Sequence, residues 1–293
     1  MKNIQLYIAT VVLAFSLGSC IKDSNPPIPA YIHVPSMEFI LNNPATQGTA
    51  SQKITDAWVS VNDQLIGTNN FPCTLPFMIP EDSLGKPLKI SIRPGIENNG
   101  VSNKKYDYPF FEPYIEYRVL EQGKVDTVYP TTHYSAATRI ILVDDFEGAG
   151  VQIGMDMDSS MATFIEKSTE DVFEGTYSGK IVVDTNTRVM STATVRSYSD
   201  IQDANASAVY LELNYKTELP INIGIVSYKG ADSLISIIGG VNPRDHWNKI
   251  YFNFTEKVYS LNADRYKVFL EVTNTSNKPD PKVYVDNIKL LHF

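Results

Sequence analysis

The chain has 293 residues, 43% hydrophobic and 20% charged, so it can bury a sizeable core and lies outside the disordered class. Its 25 Lys and Arg against 33 Asp and Glu leave a formal charge of −8. No stretch clusters the basic residues that phosphate-backbone binding requires, which argues against a nucleic-acid partner. With only two cysteines, Cys20 and Cys73, a CxxC-type metal cluster is excluded.

The N-terminus carries one early charge, Lys2, then a mainly apolar run from Leu6 to Leu17 that closes on Leu17-Gly18-Ser19-Cys20. The run is short of the ~20 apolar residues of a membrane-spanning helix, and small residues before a cut site mark an export signal. The box resembles the end of a bacterial lipoprotein signal peptide spanning residues 1–19. That resemblance implies that Cys20 is acylated, with palmitate or a similar chain, and becomes the mature N-terminus. The chain would then be held at the outer membrane, on its cell-surface or periplasmic face. With Cys20 so used, Cys73 has no partner for a disulfide. In Phe71-Pro72-Cys73-Thr74-Leu75 it reads as a small hydrophobe. Residues 20–30, with Pro26-Pro27 and Pro29, read as an extended tether.

A small β-domain is expected over 31–132. Ala57, Val59 and Val61 alternate with Trp58 and Ser60. Asn62-Asp63 then offers the positive φ of a tight hairpin turn into Gln64-Leu65-Ile66-Gly67. Leu88, Ile90 and Ile92 mark a further strand before Pro94-Gly95. The run Ile54–Gly67, with Pro94–Gly100 and Tyr108–Phe111, is similar to small β-domains of Bacteroidetes surface lipoproteins. Those domains resemble the carboxypeptidase-regulatory-like or Ig-like sandwich, and the resemblance implies no catalytic role. Tyr106, Tyr108, Phe110, Phe111, Tyr114 and Tyr117 crowd one stretch. They could form a sugar-stacking platform or pack a core and an interdomain contact; the interrupting Pro109 and Pro113 favour packing.

The pattern pauses between Pro130 and Arg139, where a domain boundary is expected, and a longer β-domain follows over 138–293. Val209, Leu211, Leu213 and Tyr215 share a face, with Glu212, Asn214 and Lys216 on the other. Ile221/Ile223/Ile225, Ile250/Phe252/Phe254 and Tyr266/Val268/Leu270/Val272 repeat the period of two. Such strands cover one core from two antiparallel sheets. The fold class read from the chain is therefore all-β: a small Ig-like sandwich followed by a larger jelly-roll-like β-sandwich. Val143-Asp144-Asp145-Phe146-Glu147, Glu174–Ile181 and Val283–Leu290 together resemble carbohydrate-binding-module and galactose-binding-like jelly rolls. The resemblance implies a structural Ca2+ joining first and last strands, with Asp145, Glu147 and Asp286 as side-chain ligands and carbonyls from Gly175–Ser178. Calcium does take carboxylate and carbonyl oxygens together. The apolar phase also slips at Asp286-Asn287, where a bulge is expected.

Asp156-Met157-Asp158-Ser159-Ser160 fails as a calcium loop, because Met161 stands where Gly is needed and Lys167 where Glu is needed; it reads as a polar loop. His33, His133, His246 and His292 are scattered, and no nucleophile elbow or phosphate-cradling glycine loop occurs, so no catalytic residue is assigned. Trp247 reads as a core or rim residue, or as a sugar platform. Three functions stay open. The foremost is a non-catalytic, lipid-anchored protein binding a polysaccharide through its C-terminal half, with the ligand-binding residues unassigned. The others are a structural or adhesive envelope protein with protein partners, and a glycoside hydrolase or lyase on the same fold.

Overall fold

The computed structural model describes residues 28–201 and 207–293; Cys20 and the segment assigned as signal peptide lie outside the described residues. The N-terminal half holds β1 (Ala30–Val34), β2 (Glu38–Phe39), a short helix α1 (Pro44–Gln47), β3 (Asp56–Val61), β4 (Gln64–Asn70) and β5 (Cys73–Phe77). It continues with β6 (Leu88–Glu97), β7 (Lys105–Asp107), β8 (Tyr114–Arg118), β9 (Val125–Thr127) and β10 (Thr131–Thr132). The expected hairpin forms between β3 and β4, with Asn62 and Asp63 at φ 48° and 65°. A β5-β1-β9 sheet faces a larger one ordered β4-β3-β6-β7, with β8 also on β6. Ile32, Val59, Ile90 and Ile92 fill the space between them, each fully buried. Cys73 belongs to that core, and burial pushes its thiol pKa up, as befits an inert small hydrophobe.

The C-terminal half starts with β11 (Arg139–Asp144), β12 (Met155–Asp156), β13 (Phe164–Ser168), β14 (Ser178–Val182) and β15 (Val189–Ala193). The longer strands follow: β16 (Val209–Thr217), β17 (Ile221–Lys229), β18 (Asp232–Val241) and β19 (Arg244–Asn253). Helix α2 (Thr255–Leu261), β20 (Arg265–Thr273) and β21 (Val283–His292) complete the chain. The front sheet runs β13-β14-β21-β16-β19, with β11 also on β21, and the back sheet runs β12-β15-β20-β17-β18. The molecule is all-β, and this half is a two-sheet, jelly-roll-like sandwich. Leu211, Leu213, Ile223, Phe252, Leu270 and Val285, alternating as expected, close the core between the sheets. The bulge expected on β21 is present: its register against β16 shifts where Asn287 takes φ 50°.

A third core joins the halves. Phe39, Ile96, Tyr108, Phe110, Phe111 and Tyr134 of the N-terminal half pack on Tyr210, Tyr251 and Leu291, which stand on the outer face of the front sheet. Tyr108 meets Phe110, Phe111, Tyr210 and Tyr251 at centroid distances of 4.8–5.4 Å, mostly edge to face. The crowded aromatic stretch is thus used for packing, while Tyr106 and Tyr117 at its ends stay exposed. The polar alternates of β16 do face away from the sandwich core, but Glu212 and Asn214 are buried beneath the other half instead of meeting water.

Glu212 lies at the centre of this contact. Tyr108 Oη donates to its Oε1 (2.7 Å) and Tyr134 Oη to its Oε2 (3.0 Å). Lys249 Nζ lies 2.9 Å from Oε2, an ionic contact out of line for a hydrogen bond. Lys289 Nζ donates to the Thr49 carbonyl (2.9 Å). Burial alone would raise the Glu212 pKa, yet the charges of Lys249 and Lys289 and the Tyr108 hydrogen bond bring it below the ordinary value. Lys289 is driven down to about 7, by burial first and by the charge of Lys249 second. The folded protein therefore binds fewer protons at Lys289 than the unfolded chain between pH 7 and 10.5, so stability rises with pH across that window. Urea unfolding between pH 7 and 9 should show a positive slope, at most ~1.4 kcal/mol per pH unit for this one group. The Lys289→Met variant should be flatter by that amount; equal slopes would remove Lys289 as the cause.

Candidate functional site

The N-terminal half covers only part of the front sheet. On its outer face, cross-strand rows run Lys289-Glu212-Tyr251, then Asp286-Asn214-Lys249, then Tyr284-Lys216. The first two rows supply Glu212, Lys249, Lys289 and Tyr251 to the interface. Beyond them the sheet is open, bordered by the loop between β13 and β14 and by the start of β19. Two contiguous hollows of about 490 and 410 Å3 lie there and share Thr217, Glu218, Arg244 and Asp245.

Asp171, from the β13–β14 loop, organises one wall. Its Oδ1 accepts the Trp247 indole N–H (2.7 Å) and its Oδ2 accepts Lys216 Nζ (2.5 Å). The Trp247 ring stands 5.7 Å from Phe173, edge to face, and 6.5 Å from Tyr284. Trp247 is half-buried and Phe173 is 36% exposed, so an aromatic step flanks the charged groove. Tyr284 Oη donates to Glu170 Oε2 (2.9 Å), and Lys180 Nζ donates to Glu170 Oε1 (2.8 Å). Asp171 thus fixes a tryptophan and a lysine in place along one side of the groove.

Three of the groove's carboxylates, Glu170, Glu218 and Asp245, are poor candidates for acid catalysis. Glu170 is held at about 2, by the Lys180 hydrogen bond first and then by Tyr284. Glu218 is lowered by the backbone N–H of Lys282 and by Lys278, and Asp245 is lowered by His246. A glycosidase acid needs its pKa raised towards neutrality, and these three are moved the other way.

The first and last strands are neighbours, as β11 pairs with β21. Of the acids expected to converge there, Glu147 and Asp286 do approach, since burial first and the Glu147 charge as well raise the Asp286 pKa to about 7. Each carboxylate is nevertheless bound by its own set of amides. Asp145 is exposed and, among the described residues, accepts only the Glu147 N–H (3.1 Å). Glu147 Oε1 accepts the amides of Thr176 (2.8 Å) and Tyr177 (2.9 Å), across the Gly175 turn. Gly175 has φ 79°, and a Cβ there would stand 2.5 Å from that oxygen. Asp286, fully buried, accepts amides of Phe173 and Glu174 on Oδ2 (3.3 Å each) and of Asn287 on Oδ1 (2.7 Å). Among the described residues no three His, Cys, Asp or Glu side chains come together to hold a metal. Backbone N–H groups occupy the Glu147 and Asp286 oxygens, so this arrangement does not fit the three-acid calcium set. Melting curves in millimolar Ca2+ and in EDTA should therefore coincide on this geometry. A Ca2+-dependent rise that Asp286→Ala abolishes would reinstate the cation. The Asp156–Ser160 segment is a polar loop as expected, with Asp158 accepting the Ser160 and Ser191 amides.

The sequence marked Trp247 as a rim or platform candidate but gave no sign of Asp171 and Lys216, whose partners are 45 or more positions away, or of Arg244, which has none among the described residues. No protein-family model matches the chain, and no curated protein matches its sequence. The structure is similar to the CBM22-1 xylan-binding domain from Paenibacillus barcinonensis Xyn10C, at 13% identity over 54% of this chain and 97% of that one, with a TM-score of 0.38. It is also similar to a family 30 carbohydrate-binding module of a Clostridium thermocellum cellulosomal cellulase: 11% identity, 52% and 96% coverage, TM-score 0.39. A family 29 carbohydrate-binding module from Piromyces equi gives 12%, 54%, 93% and 0.32. These values are low, and the likenesses assign nothing to the groove.

Proposed function

We propose that the chain is a lipid-anchored, non-catalytic envelope protein that binds a polysaccharide in the groove at the open end of the front sheet. Residues 31–132 act as an Ig-like spacer domain and residues 138–293 as the binding domain. The observation that carries the reading is Asp171 holding Trp247 and Lys216 together beside Phe173. Sugar rings offer C–H faces to an aromatic step and hydroxyls to fixed charged groups, and this wall presents both. The lowered pKa values of Glu170, Glu218 and Asp245 favour binding over hydrolysis. Native affinity electrophoresis of the full chain against soluble polysaccharides tests this. At least one should retard it, and Trp247→Ala should weaken that retardation about tenfold or more without lowering the melting temperature by more than a few degrees. Retention unaffected by Trp247→Ala would move the site elsewhere.

A protein-docking role is favoured by a different feature. Strand β18 is the free edge of the back sheet, and Leu234, Ile235 and Ile237 are 44–55% exposed on it. Between Asp232 and Val241 it carries no Lys or Pro of the kind that usually protects an edge. Concentration-independent sedimentation as a monomer, with no partner found at this edge by cross-linking in cells, would remove that reading.

A further inference from the structure

We propose that the glycan bound in the groove carries carboxylate groups, as a uronate-containing polysaccharide does, and that Arg244 is the residue that reads them. The inference rests on the groove being the glycan site and names the chemistry of its ligand. Arg244 opens β19, opposite Thr217 in the ladder, and its side chain is exposed. It lines both main hollows and also a small crevice of about 100 Å3 that runs towards the N-terminal half. It is the one residue common to all three.

The other cations around these hollows are already matched. Lys216 is paired with Asp171 (2.5 Å), Lys278 with Glu218 (2.9 Å), and Lys282 with Asp280 (2.7 Å) and Glu170 (3.5 Å). In the crevice Lys53 is paired with Glu97 (3.5 Å). The acid next to Arg244, Asp245, is turned to His246 Nδ1, 2.7 Å away. Among the described residues Arg244 has no hydrogen-bonding or ionic partner of its own. The groove's lysines are thus matched by its acids in neighbouring pairs. Arg244 and the exposed Asp245, which faces the His246 imidazole and not Arg244, are left outside them, and only Arg244 is a cation without a partner where the hollows meet. A guanidinium fork matches the two coplanar oxygens of a carboxylate, and two charge-assisted hydrogen bonds gain more than the same fork gains from a neutral hydroxyl. A sulfate ester offers the same charge without that planar match, so a test must separate the two.

The full chain is titrated calorimetrically with oligogalacturonate, a neutral xylo-oligosaccharide of equal length, and dextran sulfate. The variants Arg244→Gln and Arg244→Lys are titrated alongside. Oligogalacturonate should bind at least about tenfold more tightly than the neutral sugar, with an advantage that shrinks as salt is added. Arg244→Gln should abolish the advantage while leaving neutral-sugar binding in place, and Arg244→Lys should keep only part of it. Equal binding of the acidic and neutral sugars, or an advantage retained in Arg244→Gln, would overturn the inference and leave the groove reading standing. Dextran sulfate binding as well as oligogalacturonate would replace carboxylate recognition by general attraction of anions and equally overturn it. Binding of none of the sugars would overturn the groove reading itself.

Discussion

Replacing Glu212 by alanine should cost about 3–5 kcal/mol of unfolding free energy, the largest stability effect expected of any single substitution in the interface. The reason is what remains behind. Lys249, 4% exposed, would lose the carboxylate beside it, and Lys289, already driven down to about 7 mainly by burial, would lose the charge that favours its protonated form. The hydroxyls of Tyr108 and Tyr134 would lose their acceptor as well. An unmatched buried charge is far more costly than the pair it came from is stabilising. In a chain of this size such a loss lowers the melting temperature by about 10 °C. Removing all three charges together, as Glu212→Leu with Lys249→Met and Lys289→Met, should recover most of the loss, since an apolar replacement of a buried ionic group is often neutral. A cost below about 1 kcal/mol for Glu212→Ala, matching an exposed control such as Glu256→Ala, would mean that the halves do not dock through this cluster.

The second large effect concerns location. Cys20→Ala should abolish incorporation of a fatty-acid analogue and release the protein from the membrane fraction. A lipid chain gains ~0.8 kcal/mol per buried CH2, and two chains anchor stably. The motive is Leu17-Gly18-Ser19-Cys20 behind a short apolar run. Labelling that persists in the variant would sink the assignment of Cys20.

What was legible in the sequence was whatever a period of two can encode. Val209, Leu211, Leu213 and Tyr215 alternate, and all belong to the sandwich core. Asn62-Asp63 demanded a tight turn, and the slip at Asp286-Asn287 demanded a bulge; both are present. Alternation assigns a residue to a face but does not say what covers that face. Glu212 and Asn214 therefore read as solvent-facing, when a second layer from a hundred residues upstream buries them. The aromatic stretch around Tyr108 supplied the matching half of that contact, without revealing its partner. The site was less legible still. Asp171 joins Lys216 and Trp247 across separations of 45 and 76 residues, and no local spacing announces such a meeting. At Asp145, Glu147 and Asp286 the adjacency of first and last strands was legible, but not that the backbone amides of 173–177 reach the carboxylates of Glu147 and Asp286.

The claim that glycan binds in the groove can be read from one side chain. The chain holds two tryptophans, Trp58 and Trp247. Trp58 lies on β3 in the N-terminal half, tied to Asp56. A Trp58→Phe variant leaves Trp247 as the only indole, and its emission can be followed while oligosaccharide is added. The groove reading predicts a saturable change in that emission, with a midpoint equal to the calorimetric affinity of the same sugar and lost in Asp171→Ala, which frees the indole. Calorimetric binding of the sugar with no change in Trp247 emission, and with unaltered affinity in Asp171→Ala, would contradict it.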